Sequence, residues 1–360
     1  MSTIIIKDTL RQSVEAASGG LQTIVYTKKG QPCFMNVLTK FDLSQIDSSL
    51  SGAHPAFKVD DKELSQILIG TYQMRVIDGE MVSQPYSVPT RSVVSLQYAI
   101  QTARASGPGF HAITNAEWAA LQCLAWKNQQ YPKGANWLGY DFDDPSLYGV
   151  RVDGQPVGTK NGGGIIYTGS GPVEFRHNLA YNGISDLNGN VNERVTGLRS
   201  VYGEIQVLAN NNAASSAHDL LDTSADWRAI SGEDGSLILP DGNGTTANSI
   251  KLTSGSVASA ADYTLTLTSA LFQTTAILNS TGKAVTSLAL KKLQVLGLYP
   301  FTSTADGDFL ISNKSVISYA MRGGHSNNGI GAGINALSLS ALNTDMNQDI
   351  SSRLAYYSVV

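Results

Sequence analysis

Cysteine is nearly missing from this chain: 360 residues carry two, Cys33 and Cys123. Two thiols so far apart make neither a disulfide framework nor a zinc knuckle. Each is expected as a small buried hydrophobe. Charge is scarce as well, with Asp, Glu, Lys and Arg at 15 % against about a quarter in an average chain. A formal net charge of −4 without a basic stripe excludes an electrostatic nucleic-acid binder. No run approaches about eighteen uninterrupted apolar residues, so no membrane insertion is expected. The opening MSTIIIKDTLRQSVEAA carries charges early and lacks the apolar core of a secretory signal. What is present is 42 % apolar residues, enough for a real core, and much Gly, Ser, Asn and Thr. That balance suits a loop-rich β protein with a polar, uncharged surface, as found on virion surfaces and cell exteriors.

Residues 1–50 alternate short apolar runs (Thr3 to Ile6, Thr23 to Tyr26, Cys33 to Val37) with Gly-Gly and Lys-Lys-Gly punctuation. They are expected as a small β-rich N-terminal segment, with the main domain spanning 51–360. Strands are expected at Phe57 to Val59 and Leu64 to Tyr72. A helix starts near Ser92, keeps Val93, Leu96, Ile100 and Ala103 at helical spacing, and stops at Gly107-Pro108-Gly109. Thr114-Asn115-Ala116-Glu117 is a capping box, because the threonine hydroxyl and the glutamate each satisfy a backbone N–H of the first turn. Trp118 on that helix is expected in the core. Long loops follow over 131–176, then a turn and strand from Asp186. Residues 210–308 are rich in Ser, Thr, Ala and Asn and are expected as an insertion of irregular and β structure.

Few constellations carry chemistry. His54, His111, His177, His218 and His325 are scattered, and no G-x-S-x-G motif occurs. Gly162-Gly163-Gly164 runs into Ile165-Ile166-Tyr167, a strand pattern rather than the helix a phosphate loop requires. Asp186, Asn188 and Asn190 alternate like the start of an EF-hand, but its sixth position is Val191 and its twelfth Gly197, where glycine and a bidentate acid are needed. Two alternatives stay open there: an oxygen cage for a structural Ca²⁺ using Asn190 and Glu193, or a tight Asn188-Gly189 turn with Glu193 bonded to backbone. No other cofactor is expected.

The tail is different in kind. From Arg322 it reads RGGHSNNGIGAGINALSLSALNTDMNQDISSRLAYYSVV, with small and apolar residues recurring between polar ones. Strand alternation at Ala336 to Ser340 places Leu337 and Leu339 inward and Ser338 and Ser340 outward. The intervening Asn, Ser, Thr and Asp suit adaptable hydrogen bonding, as in antibody paratopes.

Four segments in order, HPAFKVDDKELSQILIGTYQ, ITNAEWAALQCLA, ISDLNGNVNERVTGL and RGGHSNNGIGAGINALSL, resemble the formylglycine-generating-enzyme-like branch of the C-type lectin folds. The resemblance covers about residues 54–208 and 309–356. Within that branch the tail is similar to the variable region, here about 322–356, of proteins diversified by retroelements, phage tropism determinants among them. It implies an α+β C-type-lectin-like fold interrupted by the insertion. It also implies a scaffold of Arg322, Gly323, Gly324, Gly329, Ala332, Gly333, Ala336, Leu337, Leu339, Ile350, Arg353 and Ala355. The variable, ligand-binding positions it implies are His325, Ser326, Asn327, Asn328, Ile330, Gly331, Asn335, Ser338, Ser340, Ala341, Asn343, Asp345 and Asn347. All thirteen are residue types reached by randomising the adenines of an asparagine codon, as that mechanism requires. Met346 and Gln348 fall outside that set, and Ser326 stands where the family often has tryptophan.

Formylglycine-generating enzymes need a cysteine pair near this tail, and none follows Cys123, so no catalysis is expected. The calcium-dependent sugar motifs Glu-Pro-Asn, Gln-Pro-Asp and Trp-Asn-Asp do not occur. The resemblance therefore implies a receptor-binding protein whose partner is a protein or other macromolecule on a target-cell surface. A relative of the oxidase that has lost catalysis and a structural phage tail component are the rival expectations. The sequence does not set an oligomeric state.

Overall fold

The computed structural model describes residues 8–253, 263–267, 275–277, 283–301, 310–312 and 315–359. It is a mixed α and β structure, mostly sheet, which meets the α+β expectation at that level. The expected strand at Thr3 to Ile6 lies outside the described residues.

The N-terminal segment holds a helix that apolar spacing did not announce. α1 (Thr9–Ser18) is capped by Asp8, which accepts from Arg11 N, and closes on Gly19 in the left-handed region. Its residues are mostly exposed, which is why no core-facing stripe marks it. β1 (Gln22–Tyr26) and β2 (Pro32–Thr39) form a hairpin. The short ladder β3 (Lys58–Val59) and β4 (Lys62–Glu63) precedes β5 (Gln66–Gln73), and β2 pairs antiparallel with β5. The first fifty residues thus enter the same sheet as the rest of the chain. β6 (Arg75–Ile77) and β7 (Glu80–Val82) make a separate hairpin.

α2 (Leu96–Ala105) begins at the cap Ser95, and β8 (Phe110–Ala112) leads into α3 (Asn115–Asn128). The Thr114/Glu117 capping box is present in full. α3 is buried on nearly every side, as expected where a helix lacks a polar face. Trp118 is fully buried, and its indole N–H donates to Ile334 O at 2.7 Å.

After the loops of 131–176 come β9 (Asn192–Val201), β10 (Glu204–Leu208), β11 (Trp227–Ile230), β12 (Leu237–Ile238), β13 (Ile250–Thr253), β14 (Tyr263–Leu267) and β15 (Thr275–Ile277). The expected insertion also contains a helix, α4 (Ser287–Val295), which packs on α3. β16 (Leu310–Ser312), β17 (Ile317–Gly323), β18 (Gly333–Ala341) and β19 (Ile350–Tyr356) complete the sheet. Its main path runs β1-β2-β5-β19-β9-β10-β13-β14-β15, with β17 bridging β9 and β18. β9 is the hub: its first residues pair parallel with β19, and its length pairs antiparallel with β17 and β10. The core cluster under this hub joins Trp118, Leu121, Val195, Leu198, Ile334, Leu337 and Leu339.

Candidate functional site

The tail and the loops of 131–143 enclose a cleft of about 270 Å³. One wall is Tyr131, Pro132, Lys133, Asn136, Asp141 and Asp143; the other is Ile330, Ala332, Gly333 and Ile334, with Asn188 at the floor. The floor is assembled by side-chain amides. Asn136 Nδ2 donates to Asn188 Oδ1 at 3.2 Å, and Asn188 Nδ2 donates to Pro132 O at 2.9 Å. Gly134 must be glycine here, because a Cβ would lie 1.8 Å from Asn188 O. Asp141, buried, accepts from the backbone N–H groups of Gly134, Asp143 and Asp144. Lys133 Nζ sits 3.1 Å from Asp143 and 3.9 Å from Asp141. Among the described residues the cleft's lining offers a lysine, two aspartates, two amides and apolar groups, the means for hydrogen bonding, charge and apolar contact.

The tail's own backbone is gripped from all sides. Trp118 donates to Ile334 O, Leu138 N to Ser326 O, Leu96 N to Asn343 O and Ser92 N to Asn347 O. The buried Arg194 donates to Leu342 O at 3.0 Å and Asp345 O at 2.6 Å. Arg322, also buried, fastens the start of the tail to Asn115 Oδ1 and Gly297 O. A carbonyl is the same whatever side chain its residue carries, so the carbonyl anchors, unlike that of Arg322, do not depend on the tail's side chains.

The expected exposed face is narrower than thirteen residues. Asn327, Ile330 and Asn347 are exposed, and His325, Asn328, Ser340, Asn343 and Asp345 are half-buried. Ser326, Gly331, Asn335, Ser338 and Ala341 are buried. The pleat explains one of these. Asn335 shares the parity of Leu337 and Leu339 and turns to their side of β18, whereas an irregularity between Ser338 and Ala341 turns Ala341 to the opposite face. Asn335 Oδ1 accepts from Gln122 Nε2 of α3 at 3.1 Å, and Ala341 joins a core cluster with Met321 and Ile350. Ser338, expected outward, is 9 % exposed and shares a 2.8 Å hydroxyl bond with Ser340. Ser326 is held between loops, its hydroxyl on Gly163 O and its N–H on Asn190 O. Gly331 closes a tight turn over Gly329–Gly331. His325 is pushed down by burial, and Asp349 pulls it partly back up.

Asn190 and Glu193 belong to a buried network instead of a cation cage. Arg353 grips Glu193 with two bonds, Nε to Oε2 at 2.8 Å and NH2 to Oε1 at 2.5 Å. Gln73 Nε2 adds a third at 3.0 Å, and Asn190 Nδ2 donates to Gln73 Oε1 at 2.8 Å. Asn190 Oδ1 takes Ile166 N at 2.9 Å. Burial pushes the Glu193 carboxyl up, and the adjacent guanidinium pulls it back. The positive charge a Ca²⁺ would bring is already supplied by Arg353, so these residues do not fit that ion. The backbone bonding expected for Glu193 is also replaced, because its partners are side chains.

Both cysteines and two of the histidines are buried within the fold. Cys33 and Cys123 are buried, are not disulfide-bonded, and are both pushed up to about 12 by burial. His111 faces Glu117 at 2.8 Å inside the capping box. His54 accepts from Ala56 N and donates to Val295 O, and burial lowers it to about 4. Among the described residues no group of three or more His, Cys, Asp or Glu side chains is placed to hold a metal ion.

Compared with known proteins, the chain matches no family model and no curated sequence.

Proposed function

We propose that this chain is a non-catalytic receptor-binding protein with a C-type-lectin-like fold of the formylglycine-generating-enzyme type. The tail residues around the cleft are its binding face, varied by a retroelement, and its target is a protein or other macromolecule on a cell surface. Such a protein belongs on a virion surface or cell exterior. The observation that carries this reading is the grip on the tail's backbone. Long-range anchors end on carbonyls of Ser326, Ile334, Leu342, Asn343, Asp345 and Asn347, which leaves the exposed side chains open to change. The division matches a rigid scaffold that carries adaptable loops. Ile330, 50 % exposed at the cleft mouth, supplies an apolar contact of the kind that centres a binding site.

Sequencing the DNA beside the gene tests the reading. A reverse-transcriptase gene and an adenine-rich near-copy of the tail are expected. Identical tails in many isolates, with neither element nearby, overturn it.

A further inference from the structure

A second cleft, of about 430 Å³, lies at the far end of α2 from the tail face and is itself lined by the last tail residues Tyr357 and Val359. The start of α2 meets the tail through Leu96 N and Asn343 O. Its last turn carries Arg104 into this other cleft, about 15 Å away for ten helical residues. Lys28 and Arg104 bring two positive charges, Ser216 and Tyr357 bring hydroxyls, and Phe110 and Val359 form an apolar wall. Among the described residues no carboxylate lines it, in a chain whose net charge is −4.

Arg104 is the telling residue. A guanidinium has five N–H donors in a planar fork, yet among the described residues it bonds only Ser215 O at 3.3 Å and His218 O at 3.4 Å. Both contacts use NH2 alone and are long for hydrogen bonds of this type. Burial lowers its pKa and nearby Asp219 pulls it partly back up, but it makes no ion pair within 4.0 Å among the described residues, unlike Lys133 or Arg353. A half-buried cation whose direct hydrogen bonds are long and go only to carbonyls has donors to spare for an anion, which it would hold through the paired donors of the fork. The turn beside it requires glycine. A Cβ on Gly109 would lie 2.2 Å from Tyr357 O, and Gly107 and Gly109 both have positive φ.

We propose that this cleft is a binding site for a small organic anion, a phosphate or carboxylate group on an apolar body. Arg104 and Lys28 hold the charged group, and the Phe110–Val359 wall takes the body. The site is separate from the tail face and does not depend on the function proposed for it.

The test is calorimetric titration of the full chain with phenyl phosphate, benzoate, inorganic phosphate and phenol. Saturable binding of phenyl phosphate or benzoate is expected, weaker for inorganic phosphate and absent for phenol. The first two distinguish the charged groups. Arg104→Gln and Lys28→Gln are each expected to lose tenfold or more, with unchanged melting temperatures. Affinity should fall with added salt, since exposed charges are screened. An Ile330→Asp chain is expected to bind these probes as the parent does. No saturation below about 10 mM, an affinity weaker than roughly 3 kcal/mol, overturns the proposal. So does equal binding by the Arg104 and Lys28 variants, or loss in the tail variant alone.

Discussion

The tail face and the Glu193–Arg353 network share one sheet, yet they are held by different means. The network is built from side chains, a carboxylate, a guanidinium and two amides that bond one another and nearby backbone groups. The tail is held chiefly through its carbonyls, so the scaffold reads its path and not most of its side chains. One region therefore tolerates no substitution without a rearranged partner, and the other tolerates many. Asn335 marks the border. It sits in the tail, but its side chain is read by Gln122.

The largest expected effect comes from the network. Arg353→Met leaves Glu193 charged and unpaired in the core, which should cost about 3–5 kcal/mol. Adding Glu193→Gln should recover part of this, and chemical denaturation of both variants measures it. A loss near zero for Arg353→Met would break the contrast.

A second probe is pH. His54 is neutral in the fold, because its Nδ1 accepts from Ala56 N, and its pKa is lowered to about 4 by burial. The unfolded chain takes up the proton near pH 6.5. Stability contributed by neutral His54 is therefore complete above that value and lost as pH falls toward 4, by about 3 kcal/mol at most. Denaturation at a series of pH values should show this slope, to which His177, also lowered to about 4 by burial, adds. His54→Gln should remove the His54 share and leave that of His177.

Within the tail, Asn335→Ala strands the buried Gln122 amide and should cost about 1–3 kcal/mol. The smallest effect is expected where the chain is most exposed. Replacing Asn327, Ile330 and Asn347 with Tyr, Ser or Asp should change stability by under about 0.5 kcal/mol each. Melting curves compare the sets, and equal losses would erase the distinction between scaffold and face.

Local signals were legible in the sequence. The Thr114–Glu117 capping box, the buried Trp118 and the inward Leu337 and Leu339 all follow from contacts or periods within a few residues. The helices α1 and α4 escaped. α1 buries little, and α4 lies in a polar stretch where composition suggested loops. The narrowing of the face was half legible, since counting parity from Leu337 already turns Asn335 inward.

By itself, then, the sequence determined the short-range features: caps, turns, alternation within a strand, and a tail of small and polar residues interspersed with glycines. Only the tertiary structure decided what those residues meet. Glu193 and Arg353 are 160 positions apart, and so the charge that replaces a cation cage is invisible until β9 and β19 pair. The cleft likewise joins 131–143 to 330–334, and the basic cleft joins Lys28, Arg104 and Tyr357. Periodicity and capping act over one or two turns of chain, whereas a site is made by chain closure, which brings distant residues together at an entropic cost the core repays.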